Sequence, residues 1–284
     1  MEIKNVCVIG GGQMGRQIAL CAAIYGYRVT VYDSFPGVPE KVRAWEEEYL
    51  AGRIQKGRMT EEAVAETKAR FAVTDDLNAA AADADLVIEA IVEVYEAKAK
   101  LFRELEPVIR PDTIVATNSS YMVSSMFKDC FKDPSRLCNA HFYNPALVMK
   151  FVEVVQGPHT SEETGKTVYE FCKSIGKIPV LMKKEISGFA ANRITGVVNQ
   201  EARYLVQNGY LTPEEVDIAC EEGLKYPMGP FRLMDLTGID LSYDLMKAMY
   251  KSSGVKPDCY DLIESMVKEG KLGRKSGHGF YDYV

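Results

Sequence analysis

Val6-Cys7-Val8-Ile9-Gly10-Gly11-Gly12-Gln13-Met14-Gly15 is the stretch on which the fold turns. A short apolar, β-branched run reads as a buried strand, and the apolar pattern Met14–Tyr25 beyond the glycines reads as a helix. Between them Gly10 permits the tight turn, Gly12 lets the backbone approach a pyrophosphate, and Gly15 allows close packing of helix on strand. The helix N-terminus faces the phosphate charge, and Gln13 and Met14 complete its first turn. A glycine turn of this spacing also occurs in α/β proteins that hold no nucleotide. Asp33, 18 residues after Gly15, separates the two cases. It ends a second apolar run, Arg28–Tyr32, where a carboxylate accepts hydrogen bonds from ribose hydroxyls and repels a 2′-phosphate. The residues that follow, Ser34-Phe35-Pro36, offer no base to clamp such a phosphate, so the expected cofactor is NAD rather than NADP.

Working outward, Leu86-Val87-Ile88 and Thr113-Ile114-Val115-Ala116 are further strand-like runs, separated by the helix-compatible stretches 38–70 and Val94–Leu105. Strands alternating with helices predict a Rossmann-type α/β fold, a doubly wound and mostly parallel sheet. The charged stretch 38–70 is long for one crossover and contains Gly52 and Gly57, which predicts an inserted helical hairpin protruding from the sheet. Leu137–Phe142, Phe151–Val155 and Pro179–Met182 extend the strand pattern, and Thr160-Ser161-Glu162-Glu163 has the form of a capping box opening a helix. Beyond Lys183-Lys184-Glu185 no comparable β-branched run occurs. Asn208-Gly209 reads as a helix end, and Thr212-Pro213-Glu214-Glu215 as a helix start. The expected division is a dinucleotide domain over 1–185 and a smaller all-helical domain over 186–284.

Of the 284 residues, 47% are hydrophobic and 26% charged, which excludes wholesale disorder. The formal net charge of −6 makes the chain a poor nucleic-acid binder. The longest stretch without a charged residue, Thr113–Phe127, contains Asn, Thr and several Ser and is too short to span a bilayer, so no membrane partner is expected. The N-terminus shows no cleavable signal pattern. Seven cysteines, odd in number and without Cys-x-x-Cys, argue against a disulfide framework or a metal site and for reduced thiols in the cytoplasm.

Proton chemistry near neutral pH has few candidates, because the chain contains three histidines. His278 lies in a Gly-rich tail and reads as a solvated loop. His159 follows Gly157-Pro158 and reads as an exposed turn residue. His141 ends an apolar strand, on the edge where open α/β sheets bind ligands. Twelve residues later Glu153 interrupts Phe151-Val152-Glu153-Val154-Val155, where a carboxylate is expected to be buried and to need a partner. Two readings fit this spacing. Glu153 accepts from one imidazole nitrogen and leaves the other free as a base, or the pair is a satisfied core histidine and an edge-strand glutamate.

The motifs together resemble the short-form L-3-hydroxyacyl-CoA dehydrogenases, with the bacterial 3-hydroxybutyryl-CoA dehydrogenases as the nearest kind. Those motifs are Gly10-x-Gly12-x-x-Gly15, Glu89-Ala90-Ile91-Val92-Glu93, Asn118-Ser119-Ser120, His141-Phe142-Tyr143-Asn144-Pro145, Met149-Lys150-Phe151-Val152-Glu153, Gly188-Phe189-Ala190-Ala191-Asn192-Arg193-Ile194, Tyr226–Phe231 and Gly270–Lys275. The likeness covers essentially the whole chain in order. It implies His141 as general base and acid, Glu153 as the carboxylate that orients it, Ser120 as the hydroxyl that bonds the reacting oxygen, and Asn192 as the amide that holds substrate. It places Asp33, Glu93, Lys98, Ser120, Asn144 and Lys275 around NAD. As plain residues, Asn144 is equally a turn residue before Pro145, and Lys275 a solvated tail lysine. The hairpin's basic cluster Arg53, Lys56 and Arg58 matches a contact to the CoA phosphates, although a solvated helix end fits each of them as well. A homodimer through the C-terminal helical domain is also implied.

Two departures from the family pattern stand out. Where the family has Asn-Thr-Ser-Ser-Leu, this chain has Asn118-Ser119-Ser120-Tyr121-Met122. Where it has Pro-Gly-Phe, this chain has Ser187-Gly188-Phe189 after a one-residue insertion. The expected activity is reversible, NAD-dependent oxidation of an L-3-hydroxyacyl-CoA. The competing readings are a related dehydrogenase of a non-CoA hydroxy acid, such as carnitine or a sugar acid, and a non-catalytic NAD-binding protein of crystallin type.

Overall fold

The computed structural model describes residues 2–283, which form two compact units dividing between Phe189 and Ala190. The first runs β1 (Asn5–Ile9), α1 (Gln13–Ile24), β2 (Arg28–Tyr32), α2 (Val38–Gln55), α3 (Glu61–Ala69), β3 (Phe71–Thr74) and α4 (Leu77–Ala81). It continues with β4 (Leu86–Glu89), α5 (Tyr95–Leu105), β5 (Ile114–Thr117), β6 (Leu137–Phe142), β7 (Phe151–Val155), α6 (Glu162–Ser174) and β8 (Ile178–Met182). The strands form one eight-stranded sheet in the order β3-β2-β1-β4-β5-β6-β7-β8, parallel everywhere except between β6 and β7.

Period-2 alternation divides the core between the two faces of the sheet. Val6 and Val8 pack with Ile18 and Leu20 of α1 and Val168 and Phe171 of α6, whereas Cys7, Ile9, Val87 and Val115 pack with Phe102 and Leu105 of α5. Both faces are covered, which is why the central strands are apolar runs without a polar side. The chain leaves β1 and returns to β4 on the opposite side from β2, so the carboxyl ends of β1 and β4 flank the switch in winding direction, where such sheets take ligands.

Four expectations need correction. The stretch 38–70 is a helical hairpin that turns at Gly57 (φ +61°), but it does not simply protrude: Val42, Leu50 and Val64 are buried in the same core as Val8 and Ile18. β3 and α4 follow it without having been expected. Only Phe71 and Val73 of β3 point into the core, and a four-residue edge strand shows too little periodicity to register. The N-cap of α6 is Ser161, whose hydroxyl accepts from the Thr164 amide; the Thr160 hydroxyl is engaged elsewhere, donating to the Leu137 carbonyl at 2.6 Å. His159 is half-buried rather than exposed and both ring nitrogens are shielded, so loss of solvent pushes its imidazole below the ordinary histidine range.

The second unit is helical: α7 (Ala191–Gln207), α8 (Pro213–Ile218), a π-turn over Ala219–Gly223, α9 (Pro230–Thr237), α10 (Ile239–Ser253) and α11 (Tyr260–Lys268). Thr212 and Glu215 close the capping box of α8 reciprocally. Two buried aspartates pin this unit together. Asp217 accepts from the amides of Phe231 and Arg232 at the start of α9 and from the Tyr281 hydroxyl. Asp235 accepts from the amides of Phe280 and Tyr281 and from the Tyr283 hydroxyl, which fastens the C-terminal segment onto α9.

Gly15 is the point where helix and strand come closest: a Cβ there would stand 1.8 Å from the Gly10 carbonyl oxygen. Gly15→Ala must therefore push α1 off β1, and thermal unfolding should report a loss of roughly 1–3 kcal/mol together with weakened NADH binding. An alanine variant as stable as the parent would refute the close-packing account.

Candidate active site

The carboxyl edge of the sheet gathers the loops that follow β1, β2, β4, β5 and β6. The first of these is open to an anion. Gly12 caps α1 with no side-chain hydrogen bond, no acidic residue lies in the first turn, and a Cβ on Gly12 would meet nothing within 4 Å. The first amides of a buried helix thus remain available, as a pyrophosphate requires. Gly10, at φ +108°, passes so close to β4 that a Cβ would stand 2.7 Å from the Ala90 carbonyl oxygen. Asp33 braces the loop, Oδ2 accepting from the Gly11 amide at 2.7 Å and Oδ1 from the Phe35 amide at 3.0 Å. A hollow lined by Ser34, Phe35, Gly37, Glu40 and Asp75 adjoins it. Its carboxylates add to Asp33 in disfavouring a 2′-phosphate.

His141 and Glu153 face each other directly across the antiparallel β6–β7 pair. His141 Nδ1 lies 2.9 Å from Glu153 Oε2, with Glu153 fully buried and the imidazole nearly so. An ionised carboxylate can only accept, so Nδ1 carries the proton, and in the neutral ring Nε2 holds the lone pair. That Nε2 lies 3.0 Å from Ser120 Oγ, on the loop after β5. The imidazole is walled by Tyr143 (ring centroids 4.6 Å apart) and by the buried Phe189 (5.4 Å).

Ser120 is held by its neighbours. The Glu93 carboxylate accepts from the Ser119 hydroxyl and from the amides of Ser120 (3.1 Å) and Tyr121 (3.2 Å), and Lys98 Nζ lies 3.4 Å from its other oxygen. Burial pushes the Glu93 carboxyl up, but the bonds from Ser119 and Tyr121 and the Lys98 charge outweigh it and hold the group below the usual carboxylate range. The same loop is fixed at Met122, whose carbonyl accepts from Asn139 Nδ2 at 3.0 Å.

Of the residues picked out in the sequence, the structure brings Ser120, His141 and Glu153 into one relay and sets Glu93 beneath Ser120. Gln13 Nε2 reaches Asn144 Oδ1 at 3.2 Å, tying the glycine loop to the loop after β6. Lys98 is 1% exposed and paired at 2.5 Å with Glu89, itself inaccessible, at the end of β4. Met14 packs against the core on the α1 side. Arg53 is half-buried, and Lys56 and Arg58 are exposed where α2 turns toward α3. Asn192, in the first turn of α7, and Lys275, paired with Asp240 at 2.5 Å, belong to the C-terminal unit. Sequence reasoning passed over three contributors: Glu89, which also accepts from Thr117 Oγ1 at 2.6 Å, the Ser119 hydroxyl, and Tyr143. Tyr143 was visible in principle, two residues after His141 and so on the same side of the extended chain.

A doubly wound sheet with an open glycine loop and an acidic residue after β2 is the architecture of the dinucleotide-dependent dehydrogenases. Residues 5–186 match the family model of the 3-hydroxyacyl-CoA dehydrogenase NAD binding domain, and residues 188–283 match that family's C-terminal domain. The chain belongs to the 3-hydroxyacyl-CoA dehydrogenase family. It is 38% identical over 286 residues to a probable 3-hydroxybutyryl-CoA dehydrogenase of Bacillus subtilis, covering 100% of this chain and 98% of the relative. It is 36% identical over 283 residues to 3-hydroxybutyryl-CoA dehydrogenase of Clostridioides difficile, covering 98% and 99%. The crystal structure of (S)-3-hydroxybutyryl-CoA dehydrogenase from Ralstonia eutropha superposes with a TM-score of 0.89 at 31% identity, covering all of both chains.

Lys98→Met tests the buried pair. It leaves the Glu89 carboxylate without its countercharge, and denaturant unfolding should show a loss of about 3–5 kcal/mol. A change within ~0.5 kcal/mol would mean that the remaining donors to Glu89 suffice.

Proposed function

We propose that the protein catalyses the reversible, NAD-dependent oxidation of (S)-3-hydroxyacyl-CoA, with 3-hydroxybutyryl-CoA as the substrate, to the 3-ketoacyl-CoA. The observation that carries this reading is the Ser120–His141–Glu153 relay, standing at the sheet edge that also bears the open glycine loop. The first turn of α1 from Gly12 to Gly15, with Gly10, Asp33, Glu93 and Asn144, would hold NAD, with Lys275 added on the family resemblance. When bound, the nicotinamide supplies hydride exchange with C3 of the substrate. His141 Nε2 takes the proton of the 3-hydroxyl in oxidation and returns it in reduction. Ser120 Oγ donates a hydrogen bond to the same oxygen as negative charge grows there. Glu153 fixes the ring's orientation and stabilises the imidazolium, an effect strengthened by exclusion of water. On the resemblance, Asn192 holds the substrate, and Arg53 and Lys56 at the hairpin turn meet the CoA phosphates.

NADH oxidation with acetoacetyl-CoA, free acetoacetate and dehydrocarnitine, and NADPH as a second donor, tests the assignment. Activity confined to the thioester with NADH is expected; turnover of the free acids instead would assign a non-CoA substrate. His141→Gln should lower kcat by roughly 10²–10⁴-fold while NADH binding, read by fluorescence, is unchanged. Near-parental turnover in that variant would falsify the general-base role.

The setting is a reducing one, the cytoplasm, which the seven free cysteines support. Among the described residues no helix is long and apolar enough to cross a membrane. A homodimer through the C-terminal helices is supported by exposed apolar side chains at helical spacing: Ile194 and Val197 on α7, and Leu241, Leu245 and Met249 on α10. Sedimentation equilibrium should give twice the chain mass, with Val197→Asp shifting it toward the monomer. A monomeric parent protein would overturn the dimer.

A further inference from the structure

Tyr143 touches both members of the His141–Glu153 pair, and the reaction scheme gives it no task. It stands just beyond β6, on the same side of the strand as His141 and diagonal to Glu153 across the antiparallel pair. Its hydroxyl donates to Glu153 Oε2 at 2.9 Å, the same oxygen that accepts from His141 Nδ1. Its ring packs on His141 on one side and on Phe151 (5.4 Å) on the other, so the hydroxyl is aimed by two aromatic contacts rather than left to rotate. We propose that Tyr143 is a positioning residue that sets the proton affinity of the His141–Glu153 pair by sharing the charge of the Glu153 carboxylate.

This role rests on the general-base reading above and adds its tuning. A carboxylate that accepts an additional strong donor has less negative charge to offer the imidazolium, so the donor favours the neutral ring that accepts the substrate's proton. Tyr143 remains a donor throughout, because burial and then its bond to Glu153 push the phenol far above its ordinary range. Ionisable groups of the same unit facing this corner include Tyr121, whose phenol is raised by burial and by Glu93, and Glu93 itself, anchored by Lys98. Across β7, Glu153 pairs in register with Val180 of β8, which brings no charge.

The sign follows directly. Removing the hydroxyl concentrates charge on Glu153 and favours the protonated pair, as one titrating unit. Tyr143→Phe keeps the ring between His141 and Phe151. In that variant the acid limb of kcat/KM for 3-hydroxybutyryl-CoA oxidation should move upward by about one pH unit, the scale of one hydrogen bond to a charged group. The alkaline limb of acetoacetyl-CoA reduction should move up by a similar amount. 3-Fluorotyrosine placed at 143 is a more acidic phenol and a stronger donor, and should move both limbs down. It also covers the case in which Tyr143→Phe fails to fold. Limbs that coincide with the parent's, or that move in the opposite directions, overturn the proposal. If His141→Gln is inactive while the Tyr143→Phe limbs are unshifted, only the tuning fails. If His141→Gln retains turnover, the base assignment beneath it fails instead. Titration of the ¹⁵N-labelled His141 ring in the free protein reads the same shift independently of turnover.

Discussion

Glu153 lies on a strand inside the sheet with no accessible surface, and an ionised carboxylate there is tolerable only if donors replace the water it has lost. The requirement is met by the one reversal of strand sense in the sheet. Because β6 and β7 run antiparallel, His141 sits directly opposite Glu153, and the imidazole N–H reaches the carboxylate without either backbone departing from strand geometry. In a parallel neighbour the two side chains would be staggered. A buried charge, normally a cost, thus becomes the means of fixing a ring tautomer, and with it which nitrogen faces Ser120.

The same economy governs the loops. Each loop around the relay is tied by a carboxylate or amide that accepts from backbone: Asp33 from Gly11 and Phe35, Glu93 from Ser120 and Tyr121, Asn118 from Phe142. Backbone N–H groups held by fixed acceptors need little reorganisation when a ligand arrives. Glu89 and Lys98 serve one layer deeper. Their buried pair, with Thr117, joins the carboxyl ends of β4 and β5, from which the Glu93 and Ser120 loops spring.

What could be read from residues alone was what depends on local spacing. The glycine turn, Asp33 after a β-branched run, and a charged residue inside an apolar strand each carry their meaning within about ten positions. The misses share another property: partners distant in the chain supply their meaning. Val42 and Leu50 look like ordinary hairpin apolar residues until α1 covers them, and β3 is a strand because β2 lies beside it. Nothing in the local pattern singles out Asp217 and Asp235, yet each is buried and satisfied by groups up to 64 residues away. His159 has turn-forming neighbours in the chain, whereas the surrounding fold shields its ring. Lys98 reads as a lone helix lysine, and its two carboxylate partners, Glu89 and Glu93, become visible only in the fold.

The two departures from the family pattern converge on one contact. Ser187, standing where the family has a proline without a hydroxyl, donates through Oγ to the Tyr121 carbonyl at 2.8 Å. The segment Ser119–Met122 is then held from three directions: by Glu93 at its amides, by Asn139 at the Met122 carbonyl, and by Ser187 at the Tyr121 carbonyl. Tyr121 stays nearly half exposed, so packing alone does little to fix the segment carrying Ser120. The Ser187 hydroxyl supplies a tie there that a proline at the same position lacks, and it adds to the backbone anchors that hold the Ser120 hydroxyl in place.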